Sequence, residues 1–298
     1  MSISKSCKKP FYGITKYIGR HNPELLVKIR YFIRFKKPLN LTNPQTLNEK
    51  ILYLSLRTDT SLWTKLADKY AVREYVKEHG LEDTLIPLCG VWDDERDIYF
   101  DQLPNQFVLK TTFGSSDCIF VTDKTSIDVN DLRIKLHKYL HSNYGELEGG
   151  KHYYNIPHRI IAETLINNDE ESAKYSSSLI DYKIWCFNGK AHYIWTCCNR
   201  DKNGTDVMTF DTQWNAHPEF SIFTTHYRKG PVIPKPKNLE LMLQYAERLA
   251  AEFPVVRVDL YNLDGKIYFG EMTFTSLGGL MDFYSDDFQK MAGKLITL

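Results

Sequence analysis

The sequence has 298 residues, of which 43% are hydrophobic and 25% are charged, and its net charge is +1 at pH 7. These values are typical of a soluble globular protein with a sizeable core and two or three lobes. The balanced charge gives no signal for nucleic acid as a partner. No apolar run approaches the roughly 18 residues of a membrane-spanning helix.

The cysteines and the N-terminus bear on the cellular compartment. The six cysteines form no C-x-x-C pair, which is typical of reduced thiols inside the cell. The N-terminus has neither the continuous apolar region nor the small-residue cleavage site of a secretory signal. A cytoplasmic location is therefore expected.

Residues 1–37 are strongly basic, with ten Lys or Arg and one acid, Glu24, whereas the rest of the chain has 28 basic and 36 acidic residues. Within this region, PELLVKIRYFIRFKK has apolar residues at helical spacing between basic ones. Two interpretations are open. The helix packs on the body of the protein with a solvated basic face, or it lies on an anionic polymer or membrane, peripherally at the inner membrane face.

The next elements are helical and then mixed. LTNPQTLNEKILYLSLR predicts one helix, and SLWTKLADKYAVREYVKEHG predicts another that ends at Gly80. A short strand in DTLIPLCGVWDD is followed by QFVLKTTFGSSDCIFVTDK, which predicts a strand, a Gly/Ser loop and a strand. A helix in SIDVNDLRIKLHKYLHSNYG, a buried strand in HRIIAETLI and a polar mobile loop in NNDEESAKYSSS come next.

The C-terminal half contains two predicted hairpins. LIDYKIWCFNGKAHYIWTCCNR turns at Asn188-Gly189, KNLELMLQYAERLAAEF is an amphipathic helix, and VRVDLYNLDGKIYFGEMTF is the second hairpin. Antiparallel neighbours with few crossovers predict an α+β fold. A dinucleotide-binding fold is not expected, since no G-x-G-x-x-G follows a strand. We divide the chain into a helical N-terminal region at 1–84 and two lobes at 85–165 and 166–298.

The second hairpin carries a carboxylate in each arm, Asp259 and Glu271. A three-residue loop, Leu263 to Gly265, would place Arg257 opposite Glu271 and put both carboxylates on one face with Thr273. A two- or four-residue loop would place the carboxylates on opposite faces. Their oxygens suit Mg²⁺, but an exposed face with an ion pair explains the pattern as well. The three-residue loop also assigns Ile267 and Phe269 to the charged face and Tyr268 to the core face.

Charged residues in other strands form further candidates. Lys110 ends an apolar strand before TFGSSD, whose backbone N–H groups could cradle phosphates or belong to an ordinary hairpin. Glu163 interrupts an apolar strand, so it either borders a pocket or pairs with a lysine. Asp181 and Lys183 share a strand face near Arg200, where a cross-strand ion pair is the alternative to a binding site.

Taken in order, these motifs resemble the ATP-grasp superfamily, and more closely its TupA-like branch of teichuronopeptide biosynthesis. The segments that carry the resemblance lie between about residues 35 and 298: NPQTLNEKI, KLADKYAVREYV, LPNQFVLK, RIIAE, DYKIWCFNGK and FPVVRVDLYNLDGKIYFGEMTF. The resemblance implies an ATP-grasp fold with two α+β lobes, built on antiparallel sheets, that enclose ATP. Residues 85–165 would be the small lobe with the phosphate loop, and residues 166–298 the large lobe with the metal and acceptor sites.

The resemblance implies roles for the matching positions. The residues that would contact ATP are Lys110, Gly114, Ser115, Ser116, Glu163, Thr164, Ile166, Asp181 and Lys183. Lys110 would meet the α and β phosphates, residues 114–117 would close over the β and γ phosphates, residues 163–166 would form the adenine hinge, and Asp181 would bind ribose. One or two Mg²⁺ ions, with Mn²⁺ as an alternative, would be held by Asp259, Glu271 and Thr273. The catalytic residues would be Arg257, Lys183 and Arg200, and the acceptor would meet Gly278, Gly279 and Arg228.

Two positions depart from the pattern that relatives often show. Phe113 stands where a His often precedes the phosphate loop, and Thr273 stands where an Asn often completes the metal site. These departures leave open slower turnover, a loop that orders only with acceptor bound, or an inactive protein.

The implied activity is ATP- and Mg²⁺-dependent ligation of a carboxylate to an amine through an acyl-phosphate. The substrates would be an amino acid or small amine and a uronic acid of a surface polysaccharide, such as a capsule or O-antigen, with a lipid-linked acceptor as one form. A sugar kinase, a polysaccharide glycosyltransferase and a nucleotide-binding module are the alternatives, although the D-x-D motif usual in glycosyltransferases does not occur. Residues 200–237 are expected to shape the acceptor pocket.

Overall fold

The structure is a computed structural model that describes residues 8–115 and 117–298, with the backbone alone for residues 8–11. It has the predicted α+β architecture. The helices are α1 (Lys8–His21), α2 (Pro23–Phe35), α3 (Leu47–Arg57), α4 (Ser61–Ala67), α5 (Val72–Glu78), α6 (Val129–Leu140), α7 (Tyr144–Glu148), α8 (Glu170–Ala173), α9 (Leu239–Ala250) and α10 (Asp286–Lys294). The strands are β1 (Leu88–Trp92), β2 (Phe107–Thr111), β3 (Ile119–Val121), β4 (Ile160–Thr164), β5 (Asp181–Phe187), β6 (Lys190–Asp201), β7 (Gly204–Asp211), β8 (Tyr227–Lys229), β9 (Val255–Leu263) and β10 (Lys266–Thr273).

The chain forms two compact units. Unit 1 consists of the chain up to Leu39, Ser55–Val72 and Ile86–Ile166, and unit 2 consists of Asn40–Leu54, Arg73–Leu85 and Asn167–Leu298. The helical N-terminal region at residues 1–84 is thus divided between the units. Within the described residues, no helix combines the length and the apolar character needed to cross a bilayer.

Unit 1 is built on a four-stranded antiparallel sheet in the order β1-β4-β2-β3. Helix α6 buries Leu132, Leu136 and Leu140 in the same core as Phe107 and Leu109 of β2. The Asp128 carboxylate caps α6 by accepting hydrogen bonds from the N–H groups of its first turn. Strands β2 and β3 flank the Gly/Ser loop, as the sequence predicts.

The predicted single helix across residues 61–80 is wrong, because the chain breaks it into α4 and α5. The side chain of Asp68 accepts hydrogen bonds from the N–H groups of Tyr70 and Ala71, at 2.8 and 3.1 Å, and so caps the second helix. The N–H of Lys69 donates instead to the carbonyl of Thr112, at 3.0 Å. The break therefore brings Lys69 to the end of β2, next to the Gly/Ser loop.

Unit 2 is built on a six-stranded sheet in the order β10-β9-β5-β6-β7-β8, antiparallel except for the β7–β8 pair. The β5–β6 hairpin turns at Asn188 and Gly189, which have φ values of 47° and 75°, as a two-residue turn of this type requires. The apolar side of α9 is buried, including Leu239, Met242 and Leu249. The predicted polar loop before β5 contains the short helix α8.

The register predicted for the last hairpin is wrong, but Asp259 and Glu271 still lie on one face of the sheet, as predicted. The turn has two residues, Asp264 and Gly265, and not three. A β-bulge at Gly270 then shifts the register of β10, so that Glu271 pairs with Asp259. Because the bulge adds one residue to one arm, it returns both carboxylates to the same face of the sheet.

The bulge also corrects the assignment of the residues near the turn. Ile267 and Phe269 pair with Asn262 and Leu260 and are buried, whereas Tyr268 pairs with Tyr261 and is half-buried. Ile267 and Phe269 therefore belong to the core face, and Tyr268 lies on the charged face, opposite to the prediction. One inserted residue inverts the faces of everything between it and the turn.

Candidate active site

The charged face of β9 and β10 is organised around Arg257, which is 6% exposed. Its guanidinium donates to both carboxylate oxygens of Asp259, at 2.7 and 2.8 Å, and to the hydroxyl of Ser276, at 2.7 Å. It also contacts Glu271 Oε1 at 3.3 Å and Thr273 Oγ1 at 3.1 Å. The predicted ion pair between Arg257 and Glu271 is therefore present, within a larger network.

The neighbouring strand β5 adds a second cation to this network. Lys183 lies opposite Asp259 in the sheet, and its ammonium donates to Asp259 Oδ2 at 2.5 Å. Asp181 Oδ2 lies 3.7 Å from the same ammonium and accepts a hydrogen bond from Arg200 of β6. We call these residues together the Arg257 cluster: Asp181, Lys183, Arg200, Arg257, Asp259, Glu271, Thr273 and Ser276.

Mutual charge pairing keeps Lys183 and Asp259 ionised although both are buried. Burial alone would lower the pKa of Lys183, but Asp181 and Asp259 raise it above its ordinary value. Burial would raise the pKa of Asp259, but Arg257 and Lys183 hold it below its usual range. Three cations and three carboxylates thus compensate one another. Lys183 is a permanent cation near neutral pH and is not available as a general base.

Glu271 offers a partly exposed carboxylate to a hard cation that is bound together with phosphates, whereas both oxygens of Asp259 already accept hydrogen bonds from Arg257 or Lys183. Asp259 and Glu271 are adjacent across the β9–β10 pair, and the Glu271 side chain is 45% exposed. Mg²⁺ typically uses one or two protein carboxylates and takes its remaining ligands from phosphates and water. Among the described residues, no three His, Cys, Asp or Glu side chains form a protein-only metal cage. Thr273 Oγ1 donates to Glu271 Oε1 at 3.3 Å, so it orients this carboxylate.

The unit 1 candidates lie around the loop between β2 and β3. Lys110 forms an ion pair with Glu163 of β4, with 2.6 Å between Nζ and Oε2, which is the lysine pairing that the sequence left open. Gly114 and Ser115 follow in the loop, and Ser116 lies outside the described residues. Thr164 and Ile166, which the resemblance assigns to an adenine hinge, lie at and after the end of β4 and are half-buried.

A lysine that the sequence analysis did not single out contacts the loop directly. The ammonium of Lys69 donates to the carbonyl oxygen of Gly114 at 2.5 Å. The N–H of Gly114 in turn donates to Thr111 Oγ1 at 3.2 Å. The motif DKY, in which Asp caps a helix within an otherwise helical pattern, was the available signal for this contact.

Asp117 closes the loop from its other end. Its carboxylate accepts a hydrogen bond from the hydroxyl of Thr111, and a Cβ at Gly114 would lie 2.0 Å from its Oδ2. A side chain at position 114 would therefore displace the Asp117 carboxylate and the Thr111 hydroxyl. Burial raises the pKa of Asp117, against the opposing effect of Lys69. Its Oδ1 has no hydrogen-bond partner in the described part of the chain.

The predicted acceptor residues occupy two places in unit 2. Leu277, Gly278 and Gly279 have successive φ values of 50°, 63° and 74°, and a Cβ at Gly279 would lie 2.6 Å from Leu52. Successive residues of this kind are found in backbone concavities that bind anions. Arg228 of β8 forms an ion pair with Asp206, with 2.6 Å between Nε and Oδ1.

The profile of the TupA-like ATP-grasp family matches residues 49–297, most of the sequence. The chain belongs to this family. The match includes the Gly/Ser loop of unit 1 and the Arg257 cluster of unit 2. No curated protein sequence matches this TupA-like ATP-grasp protein.

Several solved structures that match this chain are ligases by name. The match to a D-alanine–D-alanine ligase from Bacillus anthracis has 15% identity and a TM-score of 0.41, and it covers 70% of this chain and 57% of that one. The match to an L-amino acid ligase from Bacillus licheniformis has 13% identity and a TM-score of 0.47, and it covers 87% of this chain and 57% of that one. The match to a D-alanine–D-alanine ligase from Helicobacter pylori has 13% identity and a TM-score of 0.42, and it covers 86% of this chain and 70% of that one. The first two are thus spanned over little more than half their length, and the family assignment rests on the profile alone.

Phe113 and Thr273, the two positions that depart from the usual family pattern, each make specific contacts in the structure. Phe113 stacks on His158, with 3.6 Å between ring centroids and 9° between ring planes. An aromatic ring thus still stands before the phosphate loop, and a histidine lies against it. Thr273 supplies a hydroxyl that contacts both Arg257 and Glu271, whereas Asn would supply an amide.

Proposed function

We propose that this protein is an ATP- and Mg²⁺-dependent ligase that joins a carboxylate to an amine. The reaction would pass through an acyl-phosphate and release ADP and phosphate. The observation that carries the proposal is the Arg257 cluster, in a chain that belongs to the TupA-like ATP-grasp family. It places two buried, permanent cations beside two carboxylates that suit a divalent metal.

In the first step, a carboxylate oxygen of the substrate attacks the γ phosphorus of ATP, and the bond from this phosphorus to the bridging oxygen of ADP breaks. The Mg²⁺ would neutralise charge on the transferred phosphoryl group when held by Asp259 and Glu271. Lys183 would contact the phosphates, and in unit 1 Lys110 and the Ser115 N–H would do the same. Asp181 would bind the ribose.

In the second step, the amine nitrogen attacks the acyl carbon, the tetrahedral intermediate expels phosphate, and the amine loses a proton. Negative charge develops on the acyl oxygen. Arg257 is a fixed donor for this charge, because five contacts with Asp259, Ser276, Glu271 and Thr273 hold its guanidinium in place. This two-step reaction needs no nucleophile from the protein.

The acceptor is the finer part of the proposal. We infer a uronic acid of a surface polysaccharide, lipid-linked in one form, joined to an amino acid or small amine at the cytoplasmic side of the membrane. The TupA-like family supports this class of substrate. Gly278, Gly279 and Arg228 are the proposed acceptor residues. The N–H of Gly278 donates to the carbonyl of Thr275 at 2.9 Å, so the anion would meet the N–H of Gly279 and the positive charge of Arg228.

The test uses hydroxylamine in place of the amine. With ATP, Mg²⁺ and a uronic acid such as galacturonic acid, a ligase should give a hydroxamate together with equal amounts of ADP and phosphate. A sugar kinase would give ADP and a phosphate ester, without free phosphate or hydroxamate. A glycosyltransferase or a binding module would give no substrate-dependent ADP.

Two variants link this activity to the cluster. Glu271→Gln should lower the rate of ADP release about 100-fold or more, because a metal ligand supplies several kcal/mol of charge stabilisation. Glu271 is half-exposed, so its variant should keep the wild-type melting temperature. Glu240→Gln is the matched control, with a side chain 67% exposed and paired only at the surface with Lys235. Equal rates for wild type and Glu271→Gln would contradict the proposed metal site.

A further inference from the structure

Helix α2 in unit 1 exposes an apolar stripe. Leu25, Ile29, Phe32 and Ile33 are 44%, 41%, 56% and 61% exposed. Their spacing of four, three and one residues places them on one side of the helix. Exposed apolar residues occur singly on most proteins, but a contiguous patch of four marks an interaction site.

The stripe is separate from the side of α2 that packs on unit 1. Leu26, Val27 and Tyr31 are buried. Arg30 donates to the carbonyl of Leu147 at 3.1 Å and to the Glu148 carboxylate at 2.5 Å. The helix is thus already docked by its opposite side, and the stripe does not contribute to that packing. The helix therefore packs on the body of the protein with exposed basic residues, as the first interpretation predicts, and it exposes apolar residues in addition.

Basic residues border the stripe. Lys28, Arg34, Lys36 and Lys37 are exposed, and Glu24, the one acid among residues 1–37, pairs with Lys28 at 2.7 Å. Helix α1 adds the exposed residues Tyr12, Ile14, Tyr17 and Arg20. An apolar stripe flanked by Lys and Arg on a short helix is the pattern of a helix that lies in a membrane interface.

We propose that α2 lies on the surface of a bilayer that contains anionic phospholipids. Leu25, Ile29, Phe32 and Ile33 would enter the boundary between headgroups and acyl chains, and the lysines would meet lipid phosphates. A second copy of this chain fits less well, because a symmetric contact would bring two strongly basic surfaces together. The proposal does not rest on the ligase activity, since it concerns binding without ATP or acceptor.

The experiment is co-sedimentation of the full chain with vesicles. The wild type should bind phosphatidylcholine vesicles that contain phosphatidylglycerol and should bind pure phosphatidylcholine much less. Phe32→Ser/Ile33→Ser should lower the partition coefficient on anionic vesicles about tenfold or more. The matched control is Tyr99→Ser/Ile134→Ser, another aromatic and isoleucine in unit 1, which are 70% and 69% exposed. It should bind as the wild type does.

A second pair of variants tests the charge. Lys36→Glu/Lys37→Glu should lower binding to anionic vesicles about tenfold or more. The control Lys135→Glu/Lys138→Glu on α6 has the same charge change and should lower this binding much less. Equal binding by wild type and Phe32→Ser/Ile33→Ser would overturn the proposal. A second result would also overturn it: the wild type forms a dimer and does not bind vesicles, and Phe32→Ser/Ile33→Ser dissociates that dimer. ADP release measured without vesicles distinguishes these failures from failure of the ligase proposal.

Discussion

At the scale of single residues, Lys69 orients the Gly/Ser loop that is proposed to bind phosphates. The carbonyl of Gly114 and the N–H of Ser115 belong to one planar trans peptide unit, so they point in opposite directions. The ammonium of Lys69 holds that carbonyl at 2.5 Å. It therefore determines the direction in which the Ser115 N–H is presented. Lys69 is a positioning residue for the loop, in contrast to Lys110, which is proposed to contact phosphate itself.

Lys69→Met should raise KM for ATP about tenfold, with a smaller change in kcat. The expected size follows from the roughly 1.5–3 kcal/mol of a hydrogen bond to a charged group. Lys69→Arg should restore most of the affinity, because it keeps a cationic donor at this position. Steady-state kinetics of ADP release checks both, with the exposed Lys138→Met as control. If the Arg variant is as impaired as the Met variant, the ammonium has another role.

At the scale of elements, Gly270 decides which residues share the charged face. Without the bulge, the two-residue turn at Asp264-Gly265 would place Glu271 and Asp259 on opposite faces. A Cβ at Gly270 would lie 2.9 Å from the backbone carbonyl oxygen of Asp259. The backbone must therefore shift for any side chain at this position, and the shift would move Asp259.

Gly270→Ala should destabilise the protein by about 1–3 kcal/mol, as over-packed substitutions do, and should lower ADP release more than this loss of stability explains. Urea denaturation and kinetics on the folded variant separate the two effects. Gly13→Ala is the control, since a Cβ there meets no atom within 4 Å, and it should stabilise α1 by about 0.5–1 kcal/mol. Wild-type activity in Gly270→Ala would mean that the bulge does not position the carboxylates.

The sequence predicted the elements better than their local irregularities. Alternation and helical spacing located β2, β5, β9, β10 and α9, because these signals depend on residues close together in the chain. The bulge at Gly270 was missed because the pairing of the folded strands fixes it. The helix break at Asp68 was missed although its capping bonds are local and the DKY motif indicates them. The carboxylates were nevertheless assigned to one face, because the error in loop length and the unseen bulge compensate.

The candidate site was predicted in parts for a similar reason. Arg257, Asp259 and Glu271 lie within one hairpin, so their proximity follows from strand pairing. The ion pair of Lys110 with Glu163 was one of two open interpretations, and pairing of β2 with β4 decides it. Ser276 contacts Arg257 from outside the strands, where neither alternation nor helical spacing indicates a contact, and the DKY motif was the signal for the contact of Lys69.

At the scale of the whole molecule, each unit combines distant parts of the sequence. The domain prediction followed the chain in order, whereas unit 2 takes residues 40–54 and 73–85 from the N-terminal region. Asn48 of α3 is one reason why residues 40–54 belong to unit 2. Its side chain donates to the carbonyl of Met281 and accepts from the N–H of the same residue, both at 3.2 Å. Gln289 of α10 adds bonds to Met281 and Asn48, at 2.9 and 3.0 Å.

This network fixes the chain directly after Gly278 and Gly279, so α3 supports the proposed acceptor loop. Asn48→Ala should therefore destabilise the protein by about 1–3 kcal/mol, because the N–H of the buried Met281 loses this acceptor, whereas its carbonyl keeps the hydrogen bond from Gln289. Urea denaturation measures the change, and Asn203→Ala at an exposed turn is the control. In the folded variant, KM for the carboxylate should rise while KM for ATP is kept. A change below about 0.5 kcal/mol, the size of an ordinary surface substitution, would mean that α3 belongs to unit 2 through its apolar contacts alone.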